Sequence, residues 1–520
     1  MTVPLFNLWT LRWNADRLLH GYSGYWDAPI FYPTRGAFAL SEPQPPTGLV
    51  FAPFYFLTGN QVLAYNLVLL MILTLNGAAA YYLLRQLGLN AAPSLLGGVF
   101  AVALPFISNE LGVLQLTVLF PIFLSLSALV AFADRRDLHS ALALGGWTAL
   151  ALLSCEYYGL FLSLFLALAA PIFVTRRRLR LQTIGFLLAG AALAALLLLP
   201  ILPAQTRLLR DFSRNQDIVE ANSAQPIDYI RLNSRAWGRN LMPWLTFEGG
   251  SGQRLYPGTG LLLLAALGLV EAWRTRKRRW ATYCALGACL ACLLSLGFNL
   301  ELAEWRPYEL LRSGYPGFEQ LRSPFRFGVF VQIFAVGLAG FGLATLWRWR
   351  GRIGHALAIG LVAASVLEIL ALPIRLYSFP HETLGQDWVQ QLKNQPPGAV
   401  AVIPFPASSR PGDYQPTAIA MLQALEFDKP LANGYSGFFP PTYERLRRAL
   451  QDFPGADSLN LLEEYGITYV VIDRARLSGR RLAQFPPHST PYRFVYADEV
   501  VVIYHRIDAE PLDPRPSTSK

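Results

Sequence analysis

The chain is 520 residues long, 53% hydrophobic and only 15% charged, with a mean hydropathy of +0.32. A soluble domain carries about 25% charged residues, so this depletion, together with long apolar blocks, excludes an ordinary soluble domain and points to a polytopic membrane protein. The net charge of +10 comes mostly from short arginine clusters between the apolar blocks, where the positive-inside rule puts them; no nucleic-acid-binding motif accompanies them, and nucleic acid is not an expected partner.

Residues 1–61 are too polar to span a bilayer and too aromatic to be a free tail. Trp9, Trp13, Tyr22, Tyr25, Trp26, Phe31 and Tyr32 are of the kind that sits at a membrane interface, and Asp16, Asp27 and Glu42 lie among them. The segment reads as a first external amphipathic loop, the floor and acidic centre of a site. It has no basic n-region followed by an apolar h-region, so it does not read as a cleavable signal peptide. A long external segment with no helix before it must be translocated as a tail. The reading therefore expects a displaced start or an absent first helix.

A transmembrane domain follows over 62–376. Spanning helices need about 20 apolar residues, and ten blocks qualify: 62–84, 93–107, 113–133, 140–155, 157–174, 182–202, 257–273, 281–297, 327–347 and 354–375. Every second loop is basic. Arg85, Arg135 and Arg136, the run 176–180, Arg274 with 276–279, and Arg348, Arg350 and Arg352 mark the cytoplasmic side. The other side collects Glu110, Glu156, the loops 203–256 and 298–326, and everything after about 376. Cys284, Cys289 and Cys292 share one apolar block and Cys155 lies in another, which suits core packing better than a disulfide framework or a zinc site.

From 377 to 509 the composition changes to that of a small external α/β domain. Strands are predicted at 398–404 and 467–473 and a hairpin at 492–497 and 499–507; helices are predicted at 416–425, 441–452 and 457–466. The Pro- and Ser-rich tail 510–520 reads as disordered.

Several stretches carry a family resemblance: Asn7-Leu-Trp9, Phe31-Tyr-Pro33, Asn60-Gln-Val-Leu-Ala-Tyr-Asn66, Arg322-Ser-Pro-Phe-Arg-Phe327 and Asn433-Gly-Tyr-Ser-Gly-Phe-Phe-Pro-Pro441. With the acidic first loop and the C-terminal α/β domain, the chain resembles the C-type membrane glycosyltransferases (GT-C fold), close to a group of bacterial polytopic membrane proteins. The resemblance implies a polyprenyl-phosphate-linked sugar as donor, an acceptor glycan, lipid or protein on the non-cytoplasmic face of the bacterial cytoplasmic membrane, and an acidic catalytic base in the first external loop. In that group a Gly-Asp-Pro ends the first helix just before Asn-Leu-Trp. Here the place reads Thr2-Val3-Pro4, so that helix and its acid are expected to be missing, and Asp27 is the acid that remains in the loop.

Asp27 is thus the candidate base, with a turn-capping aspartate before Pro29 as the alternative. Glu110 and Glu156, in short turns between apolar helices, are candidates for binding a sugar or a divalent metal, or else are solvated interfacial turns. Arg322 and Arg326 match a donor phosphate by bidentate hydrogen bonds, against lipid-headgroup contact or an ion pair; Arg207 and Arg210 are weaker candidates. Trp26 and Tyr32 complete the expected substrate-binding set. The six histidines are scattered, and no HExxH, nucleophile-elbow or phosphate-loop pattern is present. A non-catalytic GT-C-like scaffold that binds lipid or a membrane protein partner is the alternative reading. A transporter is third, with Glu368 in the last block the residue to watch.

Overall fold

The computed structural model describes the chain except residues 174–180, 211, 350, 372, 375, 380–382, 409, 478, 487–491 and 508–520. The basic run 176–180, Asp211, Arg350, His381, His488 and the tail 510–520 therefore lie outside the described residues. In chain order the helices are α1 (Thr2–Leu19), α2 (Pro45–Thr58), α3 (Gln61–Gln86), α4 (Ala91–Ala103), α5 (Pro105–Asn109), α6 (Phe120–Arg135), α7 (Leu138–Ser154), α8 (Glu156–Phe173), α9 (Leu181–Leu198) and α10 (Leu202–Leu209). They continue as α11 (Gln216–Ala221), α12 (Thr259–Trp273), α13 (Arg278–Ser295), α14 (Tyr308–Gly314), α15 (Gly328–Arg348), α16 (Arg352–Ile369), α17 (Asp387–Lys393), α18 (Gln415–Phe427), α19 (Pro441–Ala449) and α20 (Ala456–Glu464).

Seven helical stretches among the described residues are long and apolar enough to cross a membrane: Gln61–Gln86, Ala91–Asn109, Leu114–Arg135, Glu156–Phe173, Leu181–Leu198, Pro324–Arg348 and Arg352–Ile369. Leu138–Ser154 and Thr259–Trp273 are apolar but shorter. The sequence predicts ten spans, and the tenth, α13, opens on Arg278 and Arg279, which dilute its apolar run. The protein is an α-helical polytopic membrane protein with a small C-terminal α/β domain. Its residues fall into two compact units, 67–375 and the pair of segments 1–66 and 376–520.

In the unit 67–375, α12 and α15 meet at bare backbone. A Cβ on Gly268 would stand 1.9 Å from the Leu338 carbonyl oxygen, and one on Gly342 would stand 2.2 Å from that of Leu264. Small residues at such crossings let lipid-phase helices gain van der Waals contact that no hydrophobic effect supplies. Glu368, near the end of α16, is buried, and it serves this packing. Its carboxylate accepts from the Tyr256 hydroxyl at 2.7 Å, from the Thr259 hydroxyl at 2.6 Å and from the Thr259 N–H at 3.0 Å. A carboxylate from one helix thereby satisfies the leading N–H, that of Thr259, at the start of another.

In the other unit, β1 (Ala399–Ile403), β2 (Ile467–Asp473), β3 (Tyr492–Ala497) and β4 (Val501–Arg506) form one sheet in the order β1-β2-β4-β3. β1 and β2 are parallel, with Val400 opposite Tyr469, and β4 runs antiparallel to β2 and β3. Parallel neighbours need a long crossover, and α18, α19 and α20 supply it. β2 is buried from Ile467 to Ile472, as a continuous apolar strand should be.

The N-terminal segment, read from sequence as a membrane-surface loop, forms α1 and α2 and belongs to this same unit. On α1, Asn7, Thr10 and Asn14 recur at helical spacing on one buried face. Asn14 Nδ2 donates to the Thr10 and Pro43 carbonyls at 2.8 and 2.7 Å, Tyr25 Oη donates to Asn14 Oδ1 at 2.9 Å, and Gln44 Nε2 donates to Asn7 Oδ1 at 2.9 Å. Trp9 and Trp13, expected at an interface, are packed inside, and Trp13 Nε1 donates to the Tyr25 carbonyl at 2.9 Å. Further along, the Phe31 N–H donates to the Asn433 carbonyl at 3.2 Å and the Tyr32 N–H to that of Leu431 at 3.0 Å.

Asn433 also closes the free edge of β1. Its side chain accepts from the Val402 N–H at 2.8 Å and donates to the Val402 carbonyl at 2.7 Å, as a strand neighbour's backbone would. Asn433→Ala leaves both groups without that partner, at a cost of about 1–3 kcal/mol. Thermal unfolding of this variant is expected to fall clearly below wild type; an unchanged midpoint would show that the edge does not depend on Asn433.

Candidate functional site

The site is built where three segments of the unit 67–375 converge. The first follows from Pro105, which lacks a backbone N–H and breaks the α4 run. α5 then starts afresh and ends in a turn at Glu110, whose N–H donates to the Phe106 and Ile107 carbonyls. The second is the loop before α12, carrying Arg254. The third is the 3₁₀ turn Pro324–Phe327 that leads into α15 and carries Arg326.

One buried amide joins them. Gln332, on α15, accepts from the Phe106 N–H at 3.2 Å through Oε1 and donates to the Leu255 carbonyl at 3.2 Å through Nε2. Asn109 adds a second tie, donating to the Arg254 carbonyl at 3.1 Å and accepting from Asn233 Nδ2 at 2.8 Å. Aromatic packing sets the third segment, because Phe327 stacks on Phe161 with ring centroids 3.5 Å apart.

The side chains that meet here are one carboxyl and several arginines. Arg326 is buried, with its guanidinium carbon 4.1 Å from the centre of the Tyr157 ring. The Arg322 N–H donates to Tyr157 Oη at 3.0 Å. Arg214 is strapped to the same region, its N–H donating to the Glu319 carbonyl at 3.3 Å and its Nε to that of Gln320 at 3.4 Å. Burial pushes the Arg214 guanidinium down to about 10, and the neighbouring charges of Arg322 and Arg326 add to this. Burial likewise lowers Arg254, with help from Arg235 and Arg231 and against the pull of Glu110. Cations crowded in a partly dry site suit a bound anion, and arginine forks suit the oxygens of a phosphate. Glu110 is half-buried and holds its proton more tightly than usual. Burial is the cause, opposed by the charges of Arg326 and Arg254.

Of the residues named from sequence, Glu110 and Arg326 interact here, and Arg322 and Arg326 both engage Tyr157. Glu156 accepts a hydrogen bond from Gln205 Nε2. Asp27, Trp26 and Tyr32 lie in the other unit. Asp27 is exposed on a turn and accepts from the Gly36 N–H at 2.8 Å. The Trp26 ring packs edge-on against Tyr25 at 5.0 Å, and burial raises the Tyr32 hydroxyl. Arg214, Arg254 and Tyr157 were not singled out from sequence. The signals available were the position of Tyr157 beside Glu156 in a helix-starting turn and the place of Arg254 between Gly252 and Tyr256. Among the described residues no group of three or more His, Cys, Asp or Glu side chains is placed to hold a metal ion. The arginines that face Glu110 fit an anion and do not fit a divalent cation, so no step is derived through a metal.

The state of Glu110 has a measurable consequence. In the unfolded chain it releases its proton near the ordinary value of 4.5, and in the folded protein only at higher pH. The folded state therefore binds more protons in that window, and this contribution to stability is lost as pH rises through it. Glu110→Gln removes the dependence. Melting temperatures of wild type and variant, followed upward from pH 4.5, are expected to diverge in the variant's favour. Parallel profiles would contradict the placement of Glu110.

Comparison with known proteins adds the fold. No curated protein matches this sequence. Among solved structures, the arabinofuranosyltransferase AftD from Mycobacteria is similar with a TM-score of 0.53 at 14% identity, over 88% of this chain and 35% of that one. The Archaeoglobus fulgidus oligosaccharyltransferase is similar with a TM-score of 0.50 at 14% identity, over 96% of this chain and 69% of that one. The chain thus spans about a third of the mycobacterial enzyme's length, and at these identities the likeness is one of fold, the GT-C fold. A family profile described as a domain of unknown function, DUF6311, matches residues 26–370, and the chain belongs to that family.

Proposed function

We propose that the protein transfers a sugar from a polyprenyl-phosphate-linked donor to an acceptor on the non-cytoplasmic face of a bacterial cytoplasmic membrane. The observation that carries this reading is the convergence of Arg214, Arg322 and Arg326 around Tyr157 with the Glu110 carboxyl alongside. The fold shared with AftD and the oligosaccharyltransferase supports it.

In this reading the arginines hold the donor phosphate and stabilise the charge it gains as the glycosidic bond breaks. The acceptor hydroxyl oxygen forms the new bond to the anomeric carbon. The polyprenyl phosphate leaves with the bonding electron pair, and the hydroxyl proton passes to a carboxylate. The resemblance calls for an acid in the first external loop, where Asp27 is the candidate that remains. The geometry offers Glu110, which burial makes hold its proton more tightly than an ordinary carboxyl, beside the arginines that would hold the phosphate. The basic loops face the cytoplasm, and the α/β domain lies outside, where it binds the acceptor or shapes the entrance.

The test is transfer by the purified, lipid-reconstituted protein, supplied in turn with polyprenyl-phosphate pentose and hexose and an acceptor glycan extract. Arg326→Gln is expected to lower turnover by about 10²-fold, and of Asp27→Asn and Glu110→Gln the one that removes the base is expected to lower it comparably. Donor binding that is abolished by Arg326→Gln, with no transfer to any acceptor, would favour the non-catalytic scaffold. Absence of both binding and transfer would overturn the proposal.

A further inference from the structure

A cavity of about 430 Å³ opens at the far end of the helices whose starts carry the candidate site. α15 starts beside Arg326 and ends at Arg348, and its 21 residues separate the two ends by about 31 Å. Three chain segments line the cavity: the α3–α4 turn with Leu87, Leu89 and Asn90, the α12–α13 turn with Thr275, Arg276 and Lys277, and the C-terminal end of α15 with Phe341, Thr345 and Arg348.

The lining is divided by chemistry. Leu87, Leu89, Phe341 and Ala344 form an apolar part, and Arg276, Lys277 and Arg348 supply three cations. The one carboxylate in the lining, Glu271, has a cation of its own in Arg274 at 3.8 Å. Two helices begin at the cavity, α4 after Asn90 and α13 after Lys277, and no side chain caps either start. Their leading N–H groups present positive dipole ends. The Lys277 ammonium lies against the α3–α4 turn at Gly88. Gly88 adopts φ +86°, and a Cβ there would stand 3.3 Å from Lys277 Nζ. Arg348 is fixed by its Nε, which donates to the Ala344 carbonyl at 3.1 Å and leaves the terminal guanidinium nitrogens to reach elsewhere.

We infer that this cavity is a phosphate-binding site for an anionic ligand, held by Lys277, Arg348 and Arg276. The apolar part of the lining favours a phospholipid headgroup, whose acyl chains would run along Leu87, Leu89 and Phe341, over free inorganic phosphate. Its place at the end of the bundle that bears the basic loops is where anionic headgroups attract lysine and arginine. The site is independent of the glycosyl-transfer reading, because it shares no residue with the Glu110–Arg326 cluster.

The experiment compares the full chain in nanodiscs of phosphatidylcholine alone, of phosphatidylcholine with phosphatidylglycerol, and of phosphatidylcholine with inorganic phosphate in the buffer. Retained phosphatidylglycerol is counted by native mass spectrometry, and protection by phosphate is read from the melting temperature. Wild type is expected to retain phosphatidylglycerol selectively, and the double variant Lys277→Gln, Arg348→Gln to retain at least about tenfold less, given the contribution of each surface cation. Arg278→Gln, on the same turn but outside the cavity, is the control and is expected to behave as wild type. Should the double variant fail to fold, Arg276→Gln replaces it, since Arg276 is exposed. Protection by inorganic phosphate that vanishes in the variant would assign the same site to the free anion. Equal retention and equal protection in wild type and variant, or an equal loss in Arg278→Gln, would overturn the site.

Discussion

A buried amide in an apolar bundle is costly unless both of its ends are used. Gln332 uses both, accepting from Phe106 and donating to Leu255. This constraint organises the unit 67–375 around the candidate site. Without it, the restart of the helix after Pro105 and the loop before α12 would each bury a backbone group with no partner in a medium that offers no water. With it, Glu110, Arg254 and Arg326 are carried to one place by three chain segments, the first and last more than 200 residues apart in sequence, as the separation of 226 between Phe106 and Gln332 shows. The charged groups can then be held partly dry, which is the condition under which Glu110 binds its proton tightly and Arg214 is pushed down to about 10.

The same bundle is polarised from end to end. Carboxyl and arginines mix at the starts of α12 and α15, while the far ends carry cations with a single, already paired carboxylate. Close backbone contact of α12 with α15 at Gly268 and Gly342 makes these two helices a rigid strut between the ends. Glu368 anchors the start of α12 and so belongs to the scaffold, its carboxylate accepting from three donors, the Tyr256 hydroxyl, the Thr259 hydroxyl and the Thr259 N–H.

Much of the fold was legible because it rests on periodicity. The strand at 399–403 is an unbroken apolar run between Gly398 and Pro404, the strand at 467–473 is rich in β-branched and aromatic residues after Gly466, and the long apolar blocks announce their helices. In the first segment the aromatic residues expected at an interface, Trp9 and Trp13, are buried instead. Its polar residues face a core: Asn14 donates to the Thr10 and Pro43 carbonyls and accepts from Tyr25, and Asn7 accepts from Gln44. In the site, Glu110, Arg322 and Arg326 stood out as charges at the borders of apolar blocks. Arg214 and Arg254 did not, because the loop that holds them carries many arginines with no period to rank them. Their selection is made by Gln320, Asn109 and Gln332, long-range partners that no local pattern encodes.

The account stands or falls on whether the arginine cluster holds a phosphate. A cryo-EM structure of the protein in nanodiscs, with and without added polyprenyl phosphate, tests this directly. The account predicts that the added lipid brings phosphate density against the guanidinium groups of Arg326 and Arg322, beside Glu110 and the Tyr157 ring. Bound polyprenyl phosphate whose phosphate lies away from these arginines, with the cluster unchanged between the two maps, would contradict it.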